Sequence, residues 1–344
     1  MKTFCFITLM LLPWSMSGQT KPTMYDKMIG FNYTDIDTSN GDIRSIKELW
    51  KNYLSQRLYG FGRKVDTAGY YCWNDEEKQL YKDPDLVLAT DPFLNYSQTN
   101  ILSIEPLEKG FFRIMNVKGF IDDSTGRFKT RVIFYVMAKK VNDKFKLYNY
   151  FYTDKEKLKV TNVRNIIYYY PPDYQFDNKN ALMFANFEDS LSKLFTWPVP
   201  ESLIYLIDKN PTLLMNHLGF VYDGSRGTGK HGGKFMEKDN MILSSINENH
   251  RHELVHYFTK SMNPDVIGFF DEGLATYFGG TLGKPFQWHI DYLNDYIKEK
   301  PDLDVTSENT FGYIDDKTNP QYVLGAIIIK YTIEKFGFPE VLAL

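Results

Sequence analysis

NHRHELVH, residues 249–256, and DEGLATY, residues 271–277, are the two stretches from which the second half of the chain is best interpreted. His252 and His256 are four residues apart, which on an α-helix places them about one turn apart on the same face. Two imidazoles at that spacing can bind one zinc ion with bonds of about 2.0–2.1 Å. Glu253 projects about 100° away from His252, so it can reach a water beside the ion without being a ligand. The spacing therefore predicts two metal ligands and one base on one helix.

A third ligand is needed, because HExxH also occurs by chance on ordinary surface helices. Glu272 lies in a stretch with apolar residues at helical spacing, where a carboxylate is unfavourable unless it has a partner such as a dication. The alternative is an acid that stabilises a helix N-terminus. Glu272 follows His256 by 16 residues, and Pro264 between them is expected to end the first helix. A second helix can then return antiparallel and bring Glu272 to the histidines.

With these motifs, the chain resembles the gluzincin zinc metallopeptidases, and within them the peptidase MA-like group of exported bacterial proteins. The resemblance covers the chain from about residue 166 to its C-terminus. It implies that His252, His256 and Glu272 bind one zinc ion. It also implies that Glu253 is the general base, which takes a proton as a water of lowered pKa attacks the scissile carbonyl.

The resemblance further implies that the strand before the zinc helix, predicted at residues 241–246, is a sheet edge that aligns the peptide substrate by strand addition. The gap to the third ligand is shorter than in thermolysin-like or aminopeptidase gluzincins. The Gly-x-Met-Glu-Asn motif that captures a free amino terminus is absent. An endopeptidase acting on a peptide or protein is therefore favoured over an aminopeptidase.

A donor for the oxyanion is sought on a later helix, where gluzincins often carry a Tyr or His. Asn319 and Pro320 predict the start of a helix over residues 320–336, and Gly337 predicts its end. Tyr322 on this helix is the candidate; the alternative is a tyrosine half-buried in packing. Tyr277 is the other candidate.

The remaining residues near the motifs have expected roles of their own. Asp271 is expected to orient a ligand histidine. His250 is expected to be an exposed residue at the helix start, with a role beside the site or the substrate as the alternative. Three further histidines have no partner pattern and are expected to be structural or on the surface: His217, His231 and His289.

The pattern along the chain predicts two α+β domains. In the first, over residues 19–160, a helix at 42–58 precedes antiparallel strands, and the order vaguely resembles the cone-shaped nuclear-transport-factor-like fold. The second, the metallopeptidase-like domain over 161–344, alternates strands with helices. The predicted strands are 111–120, 131–138, 144–151, 166–170, 203–207 and 241–246, with a helix at 181–195.

Residues 1–18 have the features of a secretory signal: Lys2, an apolar run over residues 4–12, and small residues before a cleavage site. The protein is therefore expected to be secreted or periplasmic, in a bacterial envelope. The apolar run is too short to span a bilayer, and no membrane span is expected after its removal. Cleavage would remove Cys5 and leave Cys72 alone, so we expect a buried thiol and no internal disulfide.

Composition excludes several function classes. The chain has 344 residues with 40 Lys+Arg against 43 Asp+Glu, which gives no electrostatic footprint for nucleic acid or an anionic membrane. With 43% hydrophobic and 16% aromatic residues, the protein is expected to be ordered. Residues 224–230 fit the GxxxxGK pattern of a phosphate-binding loop. His231 then replaces the required Ser/Thr and glycines replace the helix, so a flexible loop is favoured over a nucleotide site.

Three hypotheses follow. The first is an exported zinc metallopeptidase that uses Glu253 as base. The second is an extracellular binding protein on a catalytically retired peptidase scaffold, in which the intact base would have no purpose. The third is a structural zinc site, which usually has four protein ligands and prefers cysteines, whereas only three ligands are visible here. The sequence gives no oligomeric state.

Overall fold

The structure, a computed structural model, describes residues 36–57, 71–74, 98–122, 124–224, 232–237, 240–300, 302 and 317–342. The predicted signal at residues 1–18 and most of the glycine-rich segment, together with His231, lie outside the described residues. Within the described ranges, no helix combines the length and the apolar character that a bilayer span requires.

The first sheet is antiparallel and packs against one helix, α1 (Gly41–Arg57), as the pattern of residues 42–58 predicted. Its first four strands lie in the sheet in chain order. They are β1 (Gln98–Pro106), β2 (Phe111–Ile121), β3 (Phe128–Val141) and β4 (Lys144–Tyr148).

The predicted strand over residues 144–151 is wrong at its end. β4 stops at Tyr148, and a short helix, α2 (Tyr150–Asp154), begins two residues later. The side chain of Asn149 accepts a hydrogen bond from the backbone N–H of Phe151 and so caps this helix. The cap at Asn149 therefore starts a helix at the place where the apolar alternation predicted further strand.

The second sheet is mixed and contains five strands in the order β5-β6-β7-β10-β9. The central strands β6, β7 and β10 are parallel, whereas β5 and β9 pair antiparallel at the two edges. The predicted strands at 166–170 and 203–207 are confirmed with those bounds. The strands are β5 (Lys159–Val163), β6 (Ile166–Tyr170), β7 (Leu203–Ile207), β9 (Gly233–Met236) and β10 (Met241–Ser244).

The prediction that residues 241–246 form the sheet edge is wrong. All four residues of β10 are buried, and the strand lies between β7 and β9. Among the described residues the edge on this side is β9, whose residues are exposed or half-buried and follow the glycine-rich segment. A central strand must bury both faces, and the apolar run Met241–Leu243 fits that position better than an edge does.

The two sheets share one hydrophobic core. β8 (Phe220–Asp223), from the second half of the chain, pairs antiparallel with β3 of the first sheet. The core around Trp50 of α1 includes Leu206 of β7 and Leu243 of β10, and Cys72 is buried in it as predicted. The α+β class is confirmed; the division near residue 160 and the cone-shaped fold stay predictions.

The remaining helices surround the second sheet and supply the site. α3 (Asn178–Phe195) confirms the helix predicted at 181–195 and begins earlier, because the Asp177 side chain accepts from the backbone N–H groups of Lys179 and Asn180. The later helices are α4 (Pro211–His217), α5 (Arg251–Met262), α6 (Gly268–Gly279), α7 (Phe286–Glu299), α8 (Pro320–Phe336) and α9 (Phe338–Val341).

α8 confirms the helix predicted over residues 320–336. Asn319 caps it by accepting from the backbone N–H of Gln321, and Gly337 ends it with a φ of 92°. Where α8 crosses α6, a Cβ on Gly273 would lie 2.6 Å from the carbonyl carbon of Gly325. The two helices can approach this closely only because both positions lack a side chain.

His217, predicted to be structural or on the surface, links the two halves of the fold. Its Nδ1 lies 2.5 Å from an Asp154 oxygen at the end of α2, and its Nε2 lies 2.8 Å from an Asp208 oxygen after β7. Burial would lower the pKa of His217, but the hydrogen bonds and charges of the two carboxylates outweigh it and raise that pKa to about 9. The protonated ring therefore forms ion pairs with both carboxylates, and we call this group of three side chains the His217 clamp.

The clamp predicts how stability depends on pH. Because the pKa of His217 is raised above its ordinary value of 6.5, its contribution is fully present below about pH 6.5 and is lost as the pH rises through about 9. We expect the free energy of unfolding to fall over that window by on the order of 2 kcal/mol. Urea unfolding at pH 6 and pH 9.5 measures this. In His217→Gln the fall should be smaller by that amount, with the remainder due to His256, whose pKa is also raised to about 9; an unchanged pH dependence in the variant would contradict the clamp.

Candidate metal centre

The helix that carries the HELVH motif has one face in the core and one face on a cavity. Leu254, Val255 and Phe258 of α5 are fully buried in a second core cluster, which lies around Phe184 of α3 and Tyr205 of β7. His252 and His256 face the cavity on the opposite side. α5 ends at Met262, before Pro264, as predicted. This amphipathic pattern fixes the rotation of the helix and aims both histidines at the same space.

Three side-chain atoms converge at the predicted ligands. Glu272 Oε2 lies 3.0 Å from His252 Nε2 and 3.7 Å from His256 Nε2. One ligand atom from each of the three residues lies within 4.8 Å of the other two. Tetrahedral zinc with bonds of about 2.0–2.1 Å requires ligand atoms roughly 3.3 Å apart. The structure thus brings together His252, His256 and Glu272 in an arrangement that could hold a metal ion.

Helix α6 runs antiparallel to α5, as predicted, and this places Glu272. Near its start, Asp271 contacts Thr259 and Lys260 in the last turns of α5. Near its end, a Cβ on Gly279 would lie 2.5 Å from the backbone nitrogen of His252 in the first turn of α5. The glycine therefore permits the close approach that brings the third ligand to the first.

The ring of His252 is oriented by the backbone. Its Nδ1 lies 2.7 Å from the carbonyl oxygen of Gly280, the residue directly after α6. A carbonyl only accepts, so Nδ1 carries the proton and donates it. Nε2, which faces Glu272 Oε2 at 3.0 Å, is then the nitrogen that a metal would engage in place of that contact, as a metal-binding histidine needs.

Asp271 lies beside the second histidine, where the sequence predicted an orienting acid. Its Oδ1 lies 3.0 Å from His256 Nδ1, and the Thr259 hydroxyl donates to the same oxygen at 2.5 Å. Lys260 Nζ lies 3.2 Å from Oδ2. Burial would raise the pKa of Asp271, but its contacts with His256, Thr259 and Lys260 lower it to about 2. Asp271 is therefore a fixed negative charge behind the ligand.

The charges around the histidines favour a cation at this position. Burial would lower the pKa of His256, but the contact with Asp271 and the charges of Glu253 and Glu272 raise it to about 9. Burial would likewise raise the pKa of Glu272, but the two histidines lower it. Three buried or half-buried carboxylates thus stabilise positive charge between them, which a bound dication would supply.

Glu253 is buried on the wall of the same cavity and is not in the ligand group. The cavity has a volume of about 480 Å³, within the usual range for small-ligand sites. Its wall includes the three ligands, Lys260 and residues 232–235 at the edge strand β9. The predicted base therefore lies beside the ligands with access to the same space.

Of the two tyrosines considered as oxyanion donors, the structure brings only Tyr322 to the site. Its half-buried side chain lines the cavity, and its ring is stacked with that of His252 at a centroid distance of 6.0 Å. Tyr277 instead contacts the rings of Phe278 and Phe286 and packs on the second core cluster.

The expectation that His250 is exposed is wrong. Its side chain is only 7% exposed and lines the cavity, because the Tyr205 hydroxyl accepts from its backbone N–H at 2.9 Å and draws the segment inward. Burial lowers the pKa of His250 to about 4. The signal that could have indicated this position is Gly233, whose missing side chain leaves room for the ring.

His289 is structural, as predicted. It is fully buried, its Nδ1 lies 2.9 Å from the Thr318 hydroxyl, and its Nε2 lies 2.9 Å from the carbonyl oxygen of Thr281. Both ring nitrogens are thus engaged away from the ligand group.

Comparison of the chain with models of known protein families and with curated proteins finds no match. The resemblance to gluzincin peptidases therefore depends on the two motifs, and family membership stays a prediction.

The geometry predicts one zinc ion per chain and a dependence on the third ligand. We expect Glu272→Gln to weaken zinc binding by more than about 100-fold, since loss of a mere hydrogen-bond partner of a ligand already costs about 10–100-fold. Competition with a chromophoric chelator measures the affinity. Glu334→Gln, an exposed acid on α8, is the control and should match wild type. Equal affinities for Glu272→Gln and wild type would remove Glu272 from the site.

Proposed function

We propose that this protein is an exported zinc-dependent metallopeptidase that cleaves peptide bonds within a peptide or protein chain. The observation that carries the proposal is the convergence of His252, His256 and Glu272 within 4.8 Å, with Glu253 buried on the wall of the same cavity. The signal-like residues 1–18 support export.

The donor set fits a catalytic rather than a structural zinc ion. Two imidazole nitrogens and one carboxylate oxygen are ordinary zinc ligands, and catalytic sites typically use three protein ligands and keep one position open. The two imidazoles are already oriented, one by Gly280 and one by Asp271. Such partners hold ligand rings in position before the metal binds.

The mechanism divides the work among the side chains of the cavity. When bound, zinc supplies Lewis acidity, which lowers the pKa of a water towards about 7 and polarises the substrate carbonyl. In this proposal Glu253 takes the proton of the attacking water and passes it to the leaving nitrogen. Tyr322 donates a hydrogen bond to the oxygen that becomes negative during attack.

The edge strand β9 supports an extended peptide as substrate. β9 is the last strand of its sheet among the described residues, and residues 232–235 lie on the cavity wall. An extended chain can pair with such an edge through its backbone, which fixes its position independently of its sequence. Backbone pairing on an open edge suits a substrate that continues on both sides of the scissile bond, as an endopeptidase requires.

Removal of the base tests the proposal. We expect Glu253→Gln to keep one zinc ion per chain and to lower kcat/KM by about 10²–10⁴-fold, the usual contribution of a general base. Cleavage of a proteome-derived peptide library, quantified by mass spectrometry, measures this, with Glu334→Gln as control. Zinc-loaded wild type that cleaves no peptide in the library would contradict the proposal and favour the binding protein on a retired scaffold.

Removal of the tyrosine hydroxyl tests the oxyanion donor separately. We expect Tyr322→Phe to lower kcat by about 10²–10³-fold with little change in KM, because the donor acts mainly on the developing charge. Tyr331→Phe is the matched control on the same helix, since Tyr331 is 55% exposed. If kcat of Tyr322→Phe stays within twofold of the control, Tyr322 serves packing alone.

A further inference from the structure

His250 is a buried histidine on the cavity wall that the mechanism above does not use. It immediately precedes α5, two residues before the first ligand, and its ring centroid lies 6.4 Å from that of His252. It is not part of the ligand group. A buried polar side chain at this position needs a partner, and its surroundings identify one.

The partner is the proposed base. His250 Nε2 lies 3.8 Å from Glu253 Oε1, and both side chains are more than nine-tenths buried. A carboxylate can only accept, so a contact between them requires Nε2 to carry the proton and donate it. The separation is longer than a hydrogen bond, but such bonds are often long in unliganded sites and shorten when the site is filled.

The other side of the ring is fixed by the edge strand. A Cβ on Gly233 of β9 would lie 2.2 Å from His250 Cε1 and 2.4 Å from its Nδ1. Nδ1 is buried and has no hydrogen-bond partner among the residues that the structure describes. The ring therefore lies between the edge strand and Glu253.

We propose that His250 is a positioning residue for the general base: its Nε2–H group holds the Glu253 carboxylate, and Gly233 holds the ring. This inference rests on the proposed function. The metal ligands have their own partners in Gly280 and Asp271, so His250 acts on the base and not on the metal. Its loss should therefore slow turnover while zinc and substrate still bind.

Three substitutions separate this role from packing. The amide nitrogen of Gln can reach the place of Nε2, that of Asn approximates Nδ1, and Phe keeps the ring without either nitrogen. We expect His250→Phe and His250→Asn to lower kcat by about 10–100-fold with KM and zinc content unchanged, and His250→Gln to retain most of the activity. Equal losses in all three variants, or a parallel loss of zinc, would overturn the proposal.

Crystal structures of zinc-loaded wild type and His250→Phe test the contact without any activity. We expect Glu253 Oε1 to lie within about 3.2 Å of Nε2 in wild type and to adopt a different orientation in the variant. An unchanged Glu253 conformer in the variant would overturn the proposal. If the two structures differ as expected while wild type cleaves no peptide, the positioning contact stands and the peptidase function fails.

Discussion

The close antiparallel contact between α5 and α6 is the constraint on which the site depends. Gly279 lies against the backbone of His252 at one end, and Asp271 contacts Thr259 at the other. A side chain at Gly279 would separate the helices in the turn where the first ligand lies. Because the helices are this close, Glu272 Oε2 lies 3.0 Å from His252 Nε2. α6 thus adds a third proposed ligand to the two histidines that α5 supplies.

The site also concentrates buried charge, which is costly unless each group is compensated. Asp271 is compensated by His256 and Lys260, and Glu272 by the two histidines. The contacts that offset the cost of burying these charges also orient the proposed ligands. The same interactions therefore stabilise the fold and preorganise the site. Glu253 differs, because among the described residues its only ion-pair contact within 4.0 Å is the 3.8 Å contact with His250 Nε2.

Local patterns were sufficient for most elements. The end of the strand predicted at residues 144–151 was wrong for a local reason, the helix cap at Asn149, whereas the other two errors come from contacts elsewhere in the chain. The spacing of HELVH, the stop at Pro264 and the caps at Asn319 and Gly337 act within one turn of helix, and each was predictable from sequence. The edge strand and the burial of His250 were not. β9 lies between the glycine-rich segment and β10, and β10 is a central strand because it also pairs with β7 from much earlier in the chain. His250 is buried because the Tyr205 hydroxyl of β7 accepts from its backbone N–H and Gly233 leaves room for its ring.

In the proposed site a base, an oxyanion donor and an edge strand surround three metal ligands. The most direct test of this proposal is the cleavage of an unfolded protein by the purified chain before chelation, after chelation, and after return of one equivalent of zinc. We predict that chelation abolishes cleavage and that one equivalent restores it, because the proposed ligand group could hold one ion. Cleavage that persists in the chelated protein, or that one equivalent of zinc fails to restore, would contradict it.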